Sequence, residues 1–216
     1  MNKTEIDWTD YSWNPVTGCK HGCTYCYAHL MYKRFGRSFE PAIVPERLGQ
    51  PIKMTKPRKV FVGSVTDLFG DWVPFEWYAQ VRDAAMQAKQ HTYQFLTKAP
   101  HNLYQMNPWP SNWWAGASAT HQSMAEHAIK SFKSCDAQIK YLSCEPLLGP
   151  INIDLSTIDW LIIGAQSGPG GKQPKTEWVQ GLLDCAAKYD VPVFMKSNLI
   201  WSPFRTEWPK QLQAPI

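Results

Sequence analysis

Three of the six cysteines fall in one short stretch, Cys19-Lys20-His21-Gly22-Cys23-Thr24-Tyr25-Cys26. The spacing, C-x3-C-x2-C, offers three soft ligands to one centre, and thiolates suit zinc and iron–sulfur clusters. A structural zinc site wants four protein ligands, so His21, His29 or a distant cysteine would have to be the fourth. A [4Fe–4S] cluster has four irons to ligate. Three cysteines would hold three of them and leave one open to a substrate or cofactor. The plain alternative is unrelated free thiols. His21, inside the loop, is expected beside or behind the ligands rather than among them. Cys135, Cys144 and Cys185 lack paired spacing and read as core residues, Cys144 with the reservation that it ends a strand near the site.

The elements that must position these groups alternate in type. Short apolar runs at Val60–Gly63, Tyr93–Leu96, Trp113–Gly116, Ile139–Leu142, Trp160–Ile163 and Val191–Met195 read as strands. A further strand is expected around Trp13–Val16, weakened by Pro15. Pro74–Gln90 carries Tyr78, Val81, Ala85 and Ala88 at helical steps. His121–Phe132 does so with Met124, Ala128, Ile129 and Phe132. Thr176–Lys188 does so with Val179, Leu182, Leu183 and Ala186, and Thr176 is its expected N-cap. Alternating strands and helices imply a parallel sheet covered by helices. The units are too few for an eight-unit barrel. The expected fold is therefore α/β, a partial (β/α)6-7 barrel open on one side over residues 1–196. Residues 197–216 are expected as an irregular tail, a lid or a wrapped segment.

In parallel barrels the loops after the strands' C-terminal ends build the active site. That rule gathers the cysteine loop, Ser64, Asp67, Lys98, Ser118, Glu145, Gln166, Ser167 and Lys196 at one mouth. Asp67, Glu145 and Lys196 are the candidate catalytic groups. Each has a plainer reading: a turn cap for Asp67, a surface carboxylate for Glu145, a solvated cation for Lys196. The stretch Gly164–Gly171 lacks the Lys-Ser pair of a phosphate loop and reads as a place for close backbone approach.

Composition narrows the class. The chain has 216 residues, 44% of them hydrophobic and 19% charged, enough for one core without disulfide staples. No run approaches the roughly 18 apolar residues of a membrane span. Residues 1–7 lack the apolar stretch of a secretory signal, so a cytoplasmic setting with reduced thiols is expected. A net charge of +4 is mild for a dedicated nucleic-acid binder. Most of the eleven tryptophans are expected in the core or at its rim.

The cysteine spacing with Tyr25 before the last cysteine resembles the radical S-adenosylmethionine (SAM) signature. Its flanks narrow the likeness. Trp13-Asn14-Pro15-Val16-Thr17-Gly18-Cys19, Phe61-Val62-Gly63-Ser64-Val65-Thr66-Asp67-Leu68-Phe69 and Phe95-Leu96-Thr97-Lys98 resemble the phage Gp37/Gp68 family, a radical-SAM-like group of phage and bacterial proteins. So do Leu142-Ser143-Cys144-Glu145-Pro146-Leu147-Leu148-Gly149-Pro150 and Asp159-Trp160-Leu161-Ile162-Ile163-Gly164-Ala165-Gln166-Ser167-Gly168. The likeness spans most of residues 4–196. Where the family usually has Gly-Gly-Glu-Ser-Gly, this chain has Gln166 in place of the carboxylate.

The resemblance implies a [4Fe–4S] cluster on Cys19, Cys23 and Cys26, with S-adenosyl-L-methionine as cofactor. It implies reductive cleavage to a 5′-deoxyadenosyl radical that abstracts hydrogen from a substrate. The backbone at Tyr25 would face the adenine, Ser64 would meet the methionine end, and Ser118, Glu145, Gln166 and Ser167 would surround the rest. An electron donor such as a flavodoxin or ferredoxin is implied, in the host cytoplasm if the gene is phage-borne. A monomer or weak dimer is expected. The substrate expected first is a nucleic acid or nucleotide, with Lys53, Lys56, Lys59 and Lys172 on its phosphates. Two alternatives stand beside this reading: a metal-stabilised nucleic-acid-binding module, and a degenerate relative that holds a cluster without turnover.

Overall fold

Chain order and sheet order nearly coincide in this protein. The computed structural model describes residues 1–168 and 170–212. β1 (Asn2–Lys3) pairs antiparallel with β2 (Tyr11–Trp13). A two-stranded ribbon of β3 (Val16–Thr17) and β4 (Ala42–Ile43) follows, with α1 (Tyr27–Arg34) between its strands. Next come β5 (Lys59–Val62), α2 (Phe75–Gln87), β6 (Thr92–Thr97) and β7 (Trp113–Ser118). Then come α3 (Gln122–Phe132), β8 (Ile139–Cys144), β9 (Trp160–Ile163), α4 (Thr176–Lys188) and β10 (Val193–Met195). The main sheet runs β1-β2-β5-β6-β7-β8-β9-β10, and every pair in it except β1–β2 is parallel.

The strands alternate between two cores. Val60, Val62, Phe95, Ala115, Leu142, Leu161, Ile163 and Met195 belong to the larger cluster, together with the inward faces of α2, α3 and α4. Phe61, Trp114, Tyr141, Trp160, Ile162 and Phe194 belong to a second, wholly separate cluster around Trp8. Burial on both faces is why these strands read as continuous apolar runs. The second cluster also shows the shape of the sheet. The Trp8 ring lies 4.8 Å from Phe61 on β5 and 6.4 Å from Trp160 on β9. Those strands are four places apart, roughly 19 Å in a flat sheet. One indole can touch both only because the sheet curls around its inner face.

The curl is not closed by strand pairing among the described residues, which leaves the fold an open, mostly parallel α/β sheet. Two segments pack into the gap. The Asp7 carboxylate accepts bonds from Ser197 N–H (2.7 Å) and Ser197 Oγ (3.2 Å). Residues 205–207 return along the outer edge of β10, with Met195 N–H on Arg205 O and Glu207 N–H on Val193 O. Trp208 then stacks on Trp160 at 5.1 Å, and Lys59 Nζ sits 4.4 Å from the Trp208 ring centroid. Residues 213–216 of the expected tail lie outside the described residues. No helix among the described residues is long and apolar enough to cross a membrane.

Several expectations need correction. The first strand stops at Trp13 instead of reaching Val16, because Asn14 turns to Ser64 and Val16 pairs with Ile43 in the ribbon. The helix α1 has no apolar stripe to announce it; Ala28 is its one buried residue. α3 buries Ala125, Ala128, Ser131 and Phe132, while Met124 and Ile129 pack at the side. Small residues let that helix lie close to the sheet. Thr176 is the first residue of α4, not its cap, and Lys175 in the cap position makes no side-chain capping bond. Lys53, Lys56 and Lys59 lie at or before the N-terminal end of β5, opposite the end where Ser64 and Asp67 emerge.

Candidate functional site

The cysteine loop is anchored where the ribbon meets β5. Gly18 N–H donates to Val65 O, Thr66 Oγ1 donates to Gly18 O, and Cys19 N–H donates to Phe39 O. The loop ends at Cys26, which caps α1 by accepting His29 N–H on Sγ at 3.4 Å. Burial pushes the Cys19 thiol up to about 11 against a bond from His21 N–H, with Asp67 and the two sibling cysteines adding to the rise. The three thiols are half-buried side by side.

These thiols line a cavity of about 420 Å³ at the C-terminal end of the curled sheet. Tyr25, Ser64, Asp67, Lys98, Ser118, Glu145, Ser167 and Lys196 line it as well. The rule that strand-end loops converge thus gathers nearly the whole expected set. Gln166 is the exception: Ala165 and Ser167 face the cavity, and Gln166 between them turns its N–H to Lys172 O. Successive residues of an extended segment point opposite ways, which takes Gln166 off the lining. Cys144 belongs to the outer core and does not line the cavity. Cys135 is buried with it, whereas Cys185 is only half-buried and points Sγ at Asn152 Oδ1, 3.5 Å away.

Asp67 proves to be an organiser. Its carboxylate, 4% exposed, accepts from Thr97 Oγ1 (2.7 Å), Lys98 N–H (2.7 Å) and Phe69 N–H (3.0 Å), and meets His21 Nε2 at 2.7 Å. Burial alone would raise its pKa; the bonds from His21, Lys98 and Thr97 win and hold it below the ordinary value. With both oxygens committed, it ties the cysteine loop to β6 and is not free to move a proton for a ligand. The plainer reading of Asp67, a turn cap, is seen in the bond from Phe69 N–H. Ser64 is likewise held: Asn14 Nδ2 donates to its Oγ at 3.0 Å, and Tyr27 OH donates to its carbonyl.

Glu145 and Lys196 form the one ion pair facing the cavity among the described residues that joins two different strand ends. Lys196 is 9% exposed. The pair fits because residue 164 is glycine. A Cβ there would stand 3.0 Å from Lys196 Cδ and 3.3 Å from Glu145 Cγ. Asn198 staples the loop above it, donating to Ala165 O at 2.9 Å and Ser167 Oγ at 3.2 Å. Lys98 Nζ lies 6.0 Å from the Tyr25 ring centroid. Ser143, paired in register with Ser118, also lines the cavity, and its buried hydroxyl has no partner among the described residues.

Asn14, Tyr27, Ser143 and Asn198 were not anticipated from sequence. Ser143 had a signal: it is a polar residue just past an apolar run, at a strand end. The others act through contacts 33 to 50 residues away, which spacing does not reveal. Among the described residues no three His, Cys, Asp or Glu side chains are gathered as ligands of one metal ion. The chain matches the model of a family described as a protein of unknown function (DUF5131) over residues 3–212. No curated protein and no solved structure matches it.

Proposed function

The chain belongs to the DUF5131 family, and from that premise we propose that it is an enzyme of the radical SAM class, built on a partial barrel. The observation that carries this is the sharing of one cavity by Cys19, Cys23 and Cys26 with the polar strand ends Ser118, Glu145, Ser167 and Lys196. The donor set fits a [4Fe–4S] cluster. Three thiols offer one ligand to each of three irons, which leaves one iron for an exchangeable ligand. A single structural zinc would want a fourth protein ligand beside the three thiols. When bound with S-adenosylmethionine, such a cluster supplies the electron for reductive cleavage of the sulfonium and so a radical that takes hydrogen from a substrate.

The protein's own residues bind, orient and shield. Cys19, Cys23 and Cys26 hold the cluster. Asp67 fixes the cysteine loop through His21, and Asn14 fixes Ser64. Glu145 and Lys196 present opposite charges side by side, which suits the ammonium and carboxylate of an amino-acid-like end. Ser118 and Ser143 offer hydroxyls from neighbouring strands. The aromatic cluster beneath keeps water from reaching the cavity through the sheet, as radical chemistry requires.

The test is anaerobic reconstitution followed by iron and sulfide counting and a search for 5′-deoxyadenosine after reduction with S-adenosylmethionine. We expect four irons and four sulfides per chain, lost on Cys19→Ala, Cys23→Ala or Cys26→Ala and kept on Cys185→Ala. Stoichiometric tetrahedral zinc in protein purified without oxygen, or no cleavage product from the reduced cluster, overturns the proposal.

A further inference from the structure

The helix that follows the cysteine loop presents its side chains outward. In α1 and the turn after it, Leu30 is 61% exposed, Met31 40% and Phe35 65%, against one buried residue, Ala28. Cations are interleaved with them. Lys33, Arg34 and Arg37 are exposed, and no Asp or Glu occurs from residue 20 to residue 39. Lys20, at the start of that stretch, is paired with Glu40. The whole molecule carries a formal charge of only +4, so this segment concentrates its positive excess. Arg37 lies 6.0 Å from the Phe35 ring centroid. Tyr27, the first residue of the same helix, is exposed on one side and lines the cavity on the other. Tyr27 thus joins the exposed side of α1 to the cavity.

We infer that this face docks a single-stranded nucleic acid, laid along α1 so that one base reaches the mouth past Tyr27. The inference rests on the proposed function for the cavity and names its substrate class. Three features favour this partner. Cations without acidic neighbours complement a polyanion. An exposed aromatic beside a guanidinium is a stacking platform for a base, tolerant of sequence. The helix is only about 12 Å long, small against the roughly 800 Å² per side of a stable protein interface, yet ample for a few nucleotides. The lysines expected to serve this purpose from sequence, Lys53 and Lys56, stand at the far end of the sheet and supply an internal control.

The experiment measures binding of a short fluorescein-labelled oligothymidylate, single-stranded and as a duplex, by the full chain at several salt concentrations. Cluster content and 5′-deoxyadenosine formation without substrate are measured on the same preparations. They test the enzyme reading independently, because oligonucleotide binding to α1 does not require turnover. We expect the single strand to bind more tightly than the duplex. Lys33→Glu/Arg34→Glu/Arg37→Glu should weaken binding at least tenfold and flatten the log K against log salt slope by about 2, at about 0.7 per lost phosphate contact. Phe35→Ala should weaken it about tenfold with the slope unchanged. Lys53→Glu/Lys56→Glu should leave it within twofold. Absence of binding at low salt, or equal loss in the far-end variant, overturns the inference. So does a triple variant that binds the oligonucleotide normally but is no longer reduced by a flavodoxin, since the face is then a dock for an acidic electron donor.

Discussion

The inner face of the curled sheet is made of the same strands from end to end, yet its two ends use opposite chemistry. On the floor of that face, Trp8, Phe61, Trp114, Tyr141, Trp160 and Phe194 lock ring against ring, with Trp208 laid over them, and Trp8 and Phe61 reach up to the cavity. At the C-terminal end the same strands finish in Thr97, Ser118, Ser143, Glu145 and Lys196. Glycine serves both ends differently. A Cβ on Gly116 would lie 2.2 Å from Tyr141 Cζ, so the floor uses the hollow for an aromatic ring. Above, the hollow at Gly164 takes the stems of an ion pair. Stability resides in the floor and ligand chemistry in the mouth, and changes at the two ends should have separable effects.

The largest effect is expected at the floor. Trp160→Ala should cost about 3–5 kcal/mol, read by denaturant unfolding of the cluster-free protein. A loss under about 1 kcal/mol would mean that the two ends do not divide the labour in this way. Gly116→Ala should cost about 1–3 kcal/mol by forcing the Tyr141 ring aside, and its unfolding curve should keep the wild-type slope.

Mouth substitutions should affect ligands before stability. Lys196→Met leaves Glu145 with no cation, and we expect S-adenosylmethionine binding to fall at least tenfold while stability drops by about 1–2 kcal/mol. Adding Glu145→Gln should restore much of the stability but none of the binding. A double variant that regains both would show that the pair only packs.

A smaller effect tests Asp67 through pH. Its carboxyl is held below the ordinary value, so it contributes stability at neutral pH that is lost as pH falls below about 4 and through its lowered pKa. Asp67→Asn should flatten that acid limb in an unfolding series. An unchanged limb would place the acid sensitivity in other carboxylates. The smallest effect belongs to Cys185→Ser, expected within about 0.5 kcal/mol of wild type because its thiol is half-exposed at the helix side.

The same division explains what was legible in the residues. Strands at Trp160–Ile163 and Ile139–Cys144 stood out because both faces are buried, which makes the runs apolar. Trp160–Ile163 was read with its observed bounds, whereas Ile139–Leu142 and Trp113–Gly116 were ended two residues early, where the inner face turns polar. Trp113–Gly116 continues to Ser118, since Ala117 still packs outward while Ser118 meets the cavity. The cysteine triplet was legible because its members are adjacent in sequence. The bonds that hold Asp67 were not legible, because its partners Thr97, at the end of β6, and His21, in the cysteine loop, lie 30 and 46 residues away in the chain. The helix α1 escaped notice for the reason that makes it interesting: its apolar side chains face solvent, so no buried periodicity betrays it.

The seal under the floor also sets an order of events. Strand neighbours in the sheet are mostly neighbours in the chain, so pairing can advance by local steps as the polypeptide lengthens. The seal cannot. Trp8 precedes the parallel strands and Trp208 follows them all, and both must meet Trp160. While the chain is still emerging from the ribosome, Trp160 has its upstream partner but not its downstream one. Water is shut out of the inner face only when the last strand has been made and the segment beyond it has folded back.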